Sequence, residues 1–549
     1  MAERSMSALV RPSLLRPHTS IGRLFLLLVL AFGGPIGTTS AQYFLKHFPA
    51  GGAVSLVPMP GGGVRAMAAT GDGTELELDA NGQIMSSTLV EQTIDGSTYL
   101  RRMLPFGPGA RLGFGGFDHQ DGPGILQSIL LARVPDGATT ANAVAIGTPN
   151  GYEYNGDVVV TPGEGVVVTG RIGFGSSPTI RYHLLVGKFD MDLNAMWLRT
   201  VDVQEKNLTP LRVFVDPTTD VITCFTRQSA FGAVDNTIAR VRLSPNGDLL
   251  DCIVYDYAGN GWENADVVPL EDGAYLMLHE LTGFADIQLV CTRIEADGQV
   301  AWSRIISAPG DTDFASCELY NGALYAVGTT STDFSNEYVV LMKLDLEGEV
   351  LWTHTYGIPE RWSRAYCLAV APDATGAEAI WIGGTYRLNG TSPQEVLIMK
   401  VDGNGEGLPC TQPDLVFTTT ATEISISTGA TIAPYTAVST FNMSVGTYPA
   451  QEVTSECVSI GLDEVDAGSA LRAAPVPTTG LCTIHLPPAG HPRLLRLIDA
   501  RGRKVQEVLV AGHATTALVD LSALHAGPYT VLVSDRDRGS QGTVRIVKE

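Results

Sequence analysis

Leu344-Asp345-Leu346-Glu347-Gly348-Glu349-Val350-Leu351-Trp352 reads as the end of an apolar strand, a tight turn, and a second strand with a tryptophan four places after the glycine. Ile294-Glu295-Ala296-Asp297-Gly298-Gln299-Val300-Ala301-Trp302 has the same order. With the turn glycine as marker, copies fall at Gly82, Gly137, Leu193, Gly247, Gly298, Gly348 and Gly405, in steps of 55, 56, 54, 51, 50 and 57 residues. A repeat of that length built from short strands has the size of one four-stranded propeller blade. Two copies are flawed: Leu193 stands at the glycine position, and Val134 lies three rather than four places before Gly137.

Five copies carry a base five places before the turn, at Lys188, Arg242, Arg293, Lys343 and Lys400. Strand alternation predicts that this base points outward while its neighbour enters the packing between sheets. After the turn stand Trp197, Trp302 and Trp352, with Asp251 in the fourth copy. A large aromatic there fills the gap between adjacent blades rather than stacking on a ligand. Upstream in each copy lies a second turn and strand, as in Gly322-Ala323-Leu324-Tyr325-Ala326-Val327-Gly328, preceded by a shorter strand such as 365–370. That makes four strands per copy.

The copy at Gly405 lacks its last strand, because the chain runs on through Glu406-Gly407-Leu408-Pro409-Cys410. Phe44-Leu45-Lys46-His47-Phe48 has the pattern of Trp352-Thr353-His354-Thr355-Tyr356, aromatic to aromatic at a spacing of four. The expected fold is therefore all-β: a seven-bladed β-propeller over residues 42–410, closed by an N-terminal strand that leaves no sheet edge exposed. The repeats resemble those of many secreted bacterial propellers and, more distantly, quinoprotein propellers. Such folds host many functions, so the resemblance implies little about activity.

Sixty glycines and 31 prolines in 549 residues, with 17% charged residues, describe a strand-and-turn chain with almost no helix. The formal charge of -22 repels phosphate backbones, and no basic patch offsets it, which argues against nucleic-acid binding. Basic residues up to Arg23, an apolar run over 24–32 and Thr39-Ser40-Ala41 before Gln42 read as a signal peptide over residues 1–41. No later segment is apolar enough to cross a membrane. The eight cysteines fit an oxidising compartment and show no zinc spacing. Cys410 and Cys457 flank the segment after the repeats, where a bridge would staple it; Cys317 and Cys367, at equivalent places in two copies, read as bridged or as two buried thiols.

Residues 411–458 are rich in Thr and Ser and alternate in a way that predicts one or two exposed strands. A polar linker completes this Thr/Ser-rich region, 411–473, and residues 474–549 read as a small C-terminal β-sandwich (Ig-like) of short alternating strands. Its landmarks are Pro475-Val476-Pro477-Thr478-Thr479-Gly480, then Asp499-Ala500-Arg501-Gly502, then Gly527-Pro528-Tyr529, with Lys548 next to the end. In order, spacing and position they resemble the C-terminal sorting domain of type IX secretion substrates (type A). The resemblance implies export by the signal peptide, then recognition by the type IX secretion machinery, with delivery to the outer surface or medium of a diderm bacterium. Val476 and Pro528 depart from the family pattern.

No Gly-x-Ser-x-Gly elbow, metal-spaced histidine pair or adjacent cysteine pair is present, so no catalytic residue is assigned. Asp190-Met191-Asp192-Leu193-Asn194 and Asp402-Gly403-Asn404-Gly405-Glu406 leave calcium open as a cofactor, although Asp and Asn are also good turn formers. Asp118, His119 and Asp121 share a glycine-flanked loop able to bind a cation or move a proton. Trp262, Phe314 and Trp362 lie on equivalent blade-to-blade connections, and either cover the ends of the blades as packing or offer an aromatic rim for a glycan, a peptide or a surface protein. The leading expectation is a secreted or cell-surface binding protein; the alternative is a secreted enzyme acting on polysaccharide or using a quinone cofactor.

Overall fold

The computed structural model describes residues 43–548 except 50, 70–72, 93–95, 120–125, 149–151, 162, 175–179, 230–235, 257–260, 283–286, 308–310, 332–335, 359–360, 389–391, 409, 413, 448–453, 459–470, 475–477, 487–491, 500–502 and 536–538. The expected signal peptide and most of the polar linker lie outside the described residues, as do Asp121, Pro475, Pro477 and Gly502.

Every element among the described residues is a strand. The repeats form consecutive four-strand antiparallel meanders, as in Asp311–Tyr320, Ala323–Ser331, Glu337–Leu344 and Val350–Tyr356. All seven marker positions adopt a left-handed backbone, from φ 64 at Leu193 to φ 93 at Gly298. Each lies where a type I turn ends in a bulge, the geometry that joins strands of right-handed twist. At the sixth copy, for example, the Gly348 N–H donates to the Asp345 carbonyl at 3.2 Å, and Asp345 Oδ1 accepts the amides of Glu347 and Glu349. Leu193 accepts the strained conformation because its side chain is buried in an apolar cluster with Phe106, Phe189 and Leu198.

The N-terminal strand Phe44–Phe48 pairs antiparallel with Glu395–Asp402, placing Phe44 opposite Lys400 as Trp352 stands opposite Lys343. It therefore supplies the strand missing from the last meander. Apolar clusters couple each meander to the next, and one containing Phe44, Trp381, Val64 and Leu76 couples the last back to the first. The architecture is that of a repeat β-propeller.

The tryptophans explain the turn glycines. A Cβ on Gly247 would meet the Trp197 ring at 2.9 Å, and one on Gly348 would meet Trp302 at 2.7 Å. The aromatic of one meander thus lies on the bare backbone of the next meander's turn. In the fourth meander Asp251 replaces the tryptophan, and the fully buried Arg240 fills the slot, donating to the carbonyls of Ala296 at 3.0 Å and Asp297 at 3.2 Å.

The outward placement is corrected for two of the five bases. Lys400 is 1% and Lys188 8% exposed, and Lys400 Nζ donates to the Ala80 carbonyl of the neighbouring turn at 2.8 Å. At Lys400 a turn carbonyl of the adjacent meander satisfies the buried ammonium, whereas Lys188 pairs with Glu164 at 3.3 Å.

Residues 411–458 form more strands than expected. Thr411–Gln412, Thr418–Ala421, Ser425–Thr428, Thr431–Pro434, Val438–Gly446 and Thr454–Val458 each extend the outer edge of a meander, and Val438–Gly446 extends two. Cys410 is disulfide-bonded; Cys224, Cys252, Cys291, Cys317, Cys367 and Cys482 are buried free thiols.

Residues 472–548 form a three-stranded and a four-stranded sheet sharing an apolar cluster that includes Ile484, Leu495, Leu521 and Val531. The terminal motif residues act as turn fasteners here. Lys548 Nζ donates to the carbonyls of Ser522, at 3.0 Å, and Leu524, while Tyr529 Oη donates to the His525 carbonyl at 2.7 Å. The Asp499 carboxylate accepts the Arg503 amide at 2.9 Å, and the Gly480 carbonyl accepts Leu521 N–H at 2.8 Å. Gly527 takes φ 148, open to glycine at no cost.

Candidate ligand-binding site

The innermost strands surround a channel of 690 Å³. Each innermost strand carries a register shift in its first half, for example between Leu100 and Arg102 and between Phe314 and Ser316. A bulge frees backbone N–H groups from the ladder, and acidic side chains of the preceding meander collect them. Asp157 Oδ2 accepts Val213 N–H at 3.0 Å, Asp266 Oδ2 accepts Cys317 N–H at 2.8 Å, and Glu318 Oε2 accepts Val370 N–H at 3.0 Å. Between the first two lies Arg212, which donates to Asp266 at 2.9 Å; Arg102 pairs with Asp157 from the other side. Burial alone would raise Asp266, but the Arg212 charge and these hydrogen bonds hold its carboxyl below the usual range. The waist of the channel is a set of neutralised stitches between meanders, with its carboxylates committed to structure. Glu318 differs: burial outweighs its single amide partner and pushes it up to about 7.

At the end where the innermost strands begin, a different group gathers. The Arg171 guanidinium lies 4.3 Å from the Tyr154 ring and 4.7 Å from the Tyr182 ring, whose centroids are 5.9 Å apart. Tyr154 stands opposite Arg171 in the ladder, and Tyr182 opposite Gly173, so register alone brings the three together. Arg171 also donates to Thr209 Oγ1 at 3.3 Å, and Asn207 Oδ1 accepts the Tyr182 amide at 3.0 Å. Among the described residues no carboxylate pairs with Arg171. Its charge is held by aromatic faces and a hydroxyl, leaving donors for an anion. Tyr99 adjoins the group; burial first, then the Asp118 charge, push its phenol up to about 12. Burial also raises Tyr182. These phenols stay protonated at neutral pH and act as hydrogen-bond donors rather than bases.

The residues expected from sequence are placed as follows. Asp118 and His119 are the last residues of the strand Ala110–His119, not part of a loop; Asp118 is half-buried beside Tyr99, and the His119 side chain is outside the described residues, as is Asp121. Trp262 is the second residue of the strand Gly261–Pro269, and its side chain is likewise not described. Phe314 is not on a rim: it is 5% exposed, its ring 6.4 Å from that of Phe417, and its amide donates to Glu280. An apolar ring at a meander junction gains more from that burial than from a solvent-facing position. Trp362 is half-buried and lines a separate 90 Å³ cavity with Glu337, Arg364 and Arg387, in which both Glu337 oxygens are taken by Arg364. Asp190 and Asp402 spend Oδ1 on the amides of their own turns, the role of turn-forming carboxylates. Sequence reasoning missed Tyr99, Tyr154, Arg171 and Tyr182; the one signal was Arg171 and Tyr182 on the strands flanking the 175–179 connection.

No family model matches the chain, and no curated protein matches it. Among solved structures, a protein of unknown function from Bacteroides caccae is similar at 11% identity, covering 58% of this chain and 94% of that one, with a TM-score of 0.28. The polysaccharide lyase Uly1 is similar at 8% identity, 64% and 90% coverage and a TM-score of 0.39. An ancestral GH74 enzyme is similar at 9% identity, 91% and 92% coverage and a TM-score of 0.19.

Proposed function

We propose that the chain is an exported seven-bladed propeller that binds a glycan at the channel mouth and carries a separate C-terminal sandwich as its type IX sorting domain. The carrying observation is Arg171, clamped between Tyr154 and Tyr182 and without a carboxylate partner among the described residues. Aromatic faces suit the apolar faces of pyranose rings, phenols donate to hydroxyls, and a pre-positioned guanidinium takes a carboxylate in two parallel bonds. The ligand this favours is a glycan bearing uronic acid. A peptide or a neighbouring surface protein is disfavoured by the small size of the cluster. The signal peptide and the order of the tail motifs support delivery to the outer surface or medium of a diderm bacterium.

The test is a panel of neutral and uronate-containing oligosaccharides presented to the mature protein and to Arg171→Gln, with melting curves to confirm folding. The reading expects uronate binding that weakens at least about tenfold in the variant, the size of one charge-assisted pair. Binding to no sugar, or equal binding by a folded variant, would sink it.

A second reading, an enzyme acting on polysaccharide, is favoured by Glu318, whose carboxyl titrates near neutrality inside the channel. Uronate-polymer cleavage abolished by Glu318→Gln in a folded protein would establish it.

A further inference from the structure

Past Cys410 the chain passes every meander once more, in reverse order. It pairs with Val350–Tyr356 of the sixth, Val300–Ser307 of the fifth, Leu249–Asp256 of the fourth and Ala195–Asp202 of the third. Val438–Gly446 then bridges Thr140–Ile146 of the second and Ile84–Gln92 of the first. Finally Thr454–Val458 pairs with Phe44–Phe48, the closing strand of the seventh. All pairings are antiparallel. Sheet twist of about 20 to 25° per strand turns the outermost strand of a four-stranded meander far from the direction of the innermost one. A segment running round the circumference can therefore add to each outer edge in passing.

The belt is short for its path. Only two to five residues separate one pairing from the next between Gln412 and Val438. Leu415 and Phe417 pack into the cluster between the fifth and sixth meanders, Ile424 into the next, Ile432 into the next, and Tyr435 into the one after. Thr353 Oγ1 donates to the Leu415 carbonyl at 2.7 Å, and Tyr435 Oη donates to Glu153 Oε1 at 3.4 Å. One or two apolar pegs at each of these junctions hold it in place.

Cys410 stands where the belt begins; its carbonyl accepts Gly357 N–H at 3.1 Å. It is disulfide-bonded, six other cysteines are free, and the eighth is Cys457, whose backbone pairs with Leu45 where the belt ends. We infer that a Cys410–Cys457 disulfide closes the belt into a covalent hoop around the meanders, locking the N-terminal closing strand beneath its far end. Closure joins two thiols through one S–S bond and passes two electrons and two protons to a disulfide-bearing oxidant of the compartment the chain is exported to. With the hoop shut, no meander can swing outward unless the hoop's strands are stripped or a covalent bond breaks. Among the described residues each meander's outer edge is covered, which leaves no outer edge there for another chain to pair with.

The experiment compares three forms of the mature protein: oxidised and intact, reduced after folding (or Cys410→Ser with Cys457→Ser), and oxidised but cut at a protease site inserted at 422–424 between two belt strands. Peptide mapping should join Cys410 to Cys457. Reduction and cutting should each speed denaturant-induced unfolding by about tenfold or more, and by similar factors, because either one opens the hoop. The inference is overturned if Cys410 is joined to another cysteine, if neither treatment changes the rate, or if reduction speeds unfolding while the cut, oxidised form stays as slow as the intact one. That last result would make the bridge a local staple.

Discussion

The ring of Phe44 lies on the bare backbone of Gly82: a Cβ built on that glycine would fall 2.2 Å from the ring. Two residues 38 positions apart in sequence thus form the seam at which the last meander meets the first. Trp197 on Gly247 and Trp302 on Gly348 repeat the arrangement inside the ring.

Gly82→Ala is expected to destabilise by about 2–4 kcal/mol, combining left-handed strain with overpacking against Phe44. Gly137 is the control, since it has φ 70 but nothing within 4 Å of a new Cβ. Gly137→Ala should cost only the backbone term, about 1 kcal/mol. Urea midpoints measure both, and equal costs would show that the seam contact does not matter.

Arg240 and Asp251 should behave as one unit. Elsewhere the position of Arg240 is apolar, as at Cys291 and Leu341, wherever a tryptophan stands at the position of Asp251. Asp251 Oδ1 lies 3.5 Å from Arg240 Nη2 while its Oδ2 accepts from Arg242 Nε at 2.7 Å, so Asp251→Ala takes the acid from both guanidiniums and should cost about 3 kcal/mol. Arg240→Leu combined with Asp251→Trp should recover most of that loss. Additive costs in the double-mutant cycle would contradict the pairing.

Stability should fall as pH rises toward neutrality. Burial pushes Glu153 up to about 7, and its Oε2 has no hydrogen-bond partner among the described residues. A raised carboxyl contributes stability that is complete below its ordinary value of 4.5 and is lost as pH rises through about 7. The loss for this one group is up to about 3 kcal/mol. Glu153→Gln should flatten the pH dependence of the urea midpoint between pH 5 and about 8; an unchanged slope would show that the group is not responsible.

Removal of residues 474–549 should strand the protein in the periplasm, whereas Lys548→Met should loosen the tail by about 1–3 kcal/mol by leaving two carbonyls without their donor. Unchanged secretion of the truncated chain would refute the sorting role.

Local backbone demands made much of this legible in advance. The turn at Gly348 needs a left-handed residue and strands alternate by two, so the repeat, its four strands and even the orphan strand at Phe44 could be read from spacing alone. The base at Lys400 was misread because alternation fixes a direction but not what waits there, in this case the carbonyl of Ala80. For Phe314 the connection left a rim and a packing role both open, and the ring is packed at a meander junction.

The sequence by itself determined the period, the turns, the all-β character and the partner of the incomplete last copy, because each follows from interactions within a strand or across one hairpin. Only the tertiary structure decided that Thr418, Ser425 and Thr431 begin successive segments of a belt, that Asp157 serves Val213, and that Tyr154, Arg171 and Tyr182 converge. Those relationships join chain segments that meet only after the meanders twist and close, and short-range sequence pattern carries no record of where a twisted edge will come to lie.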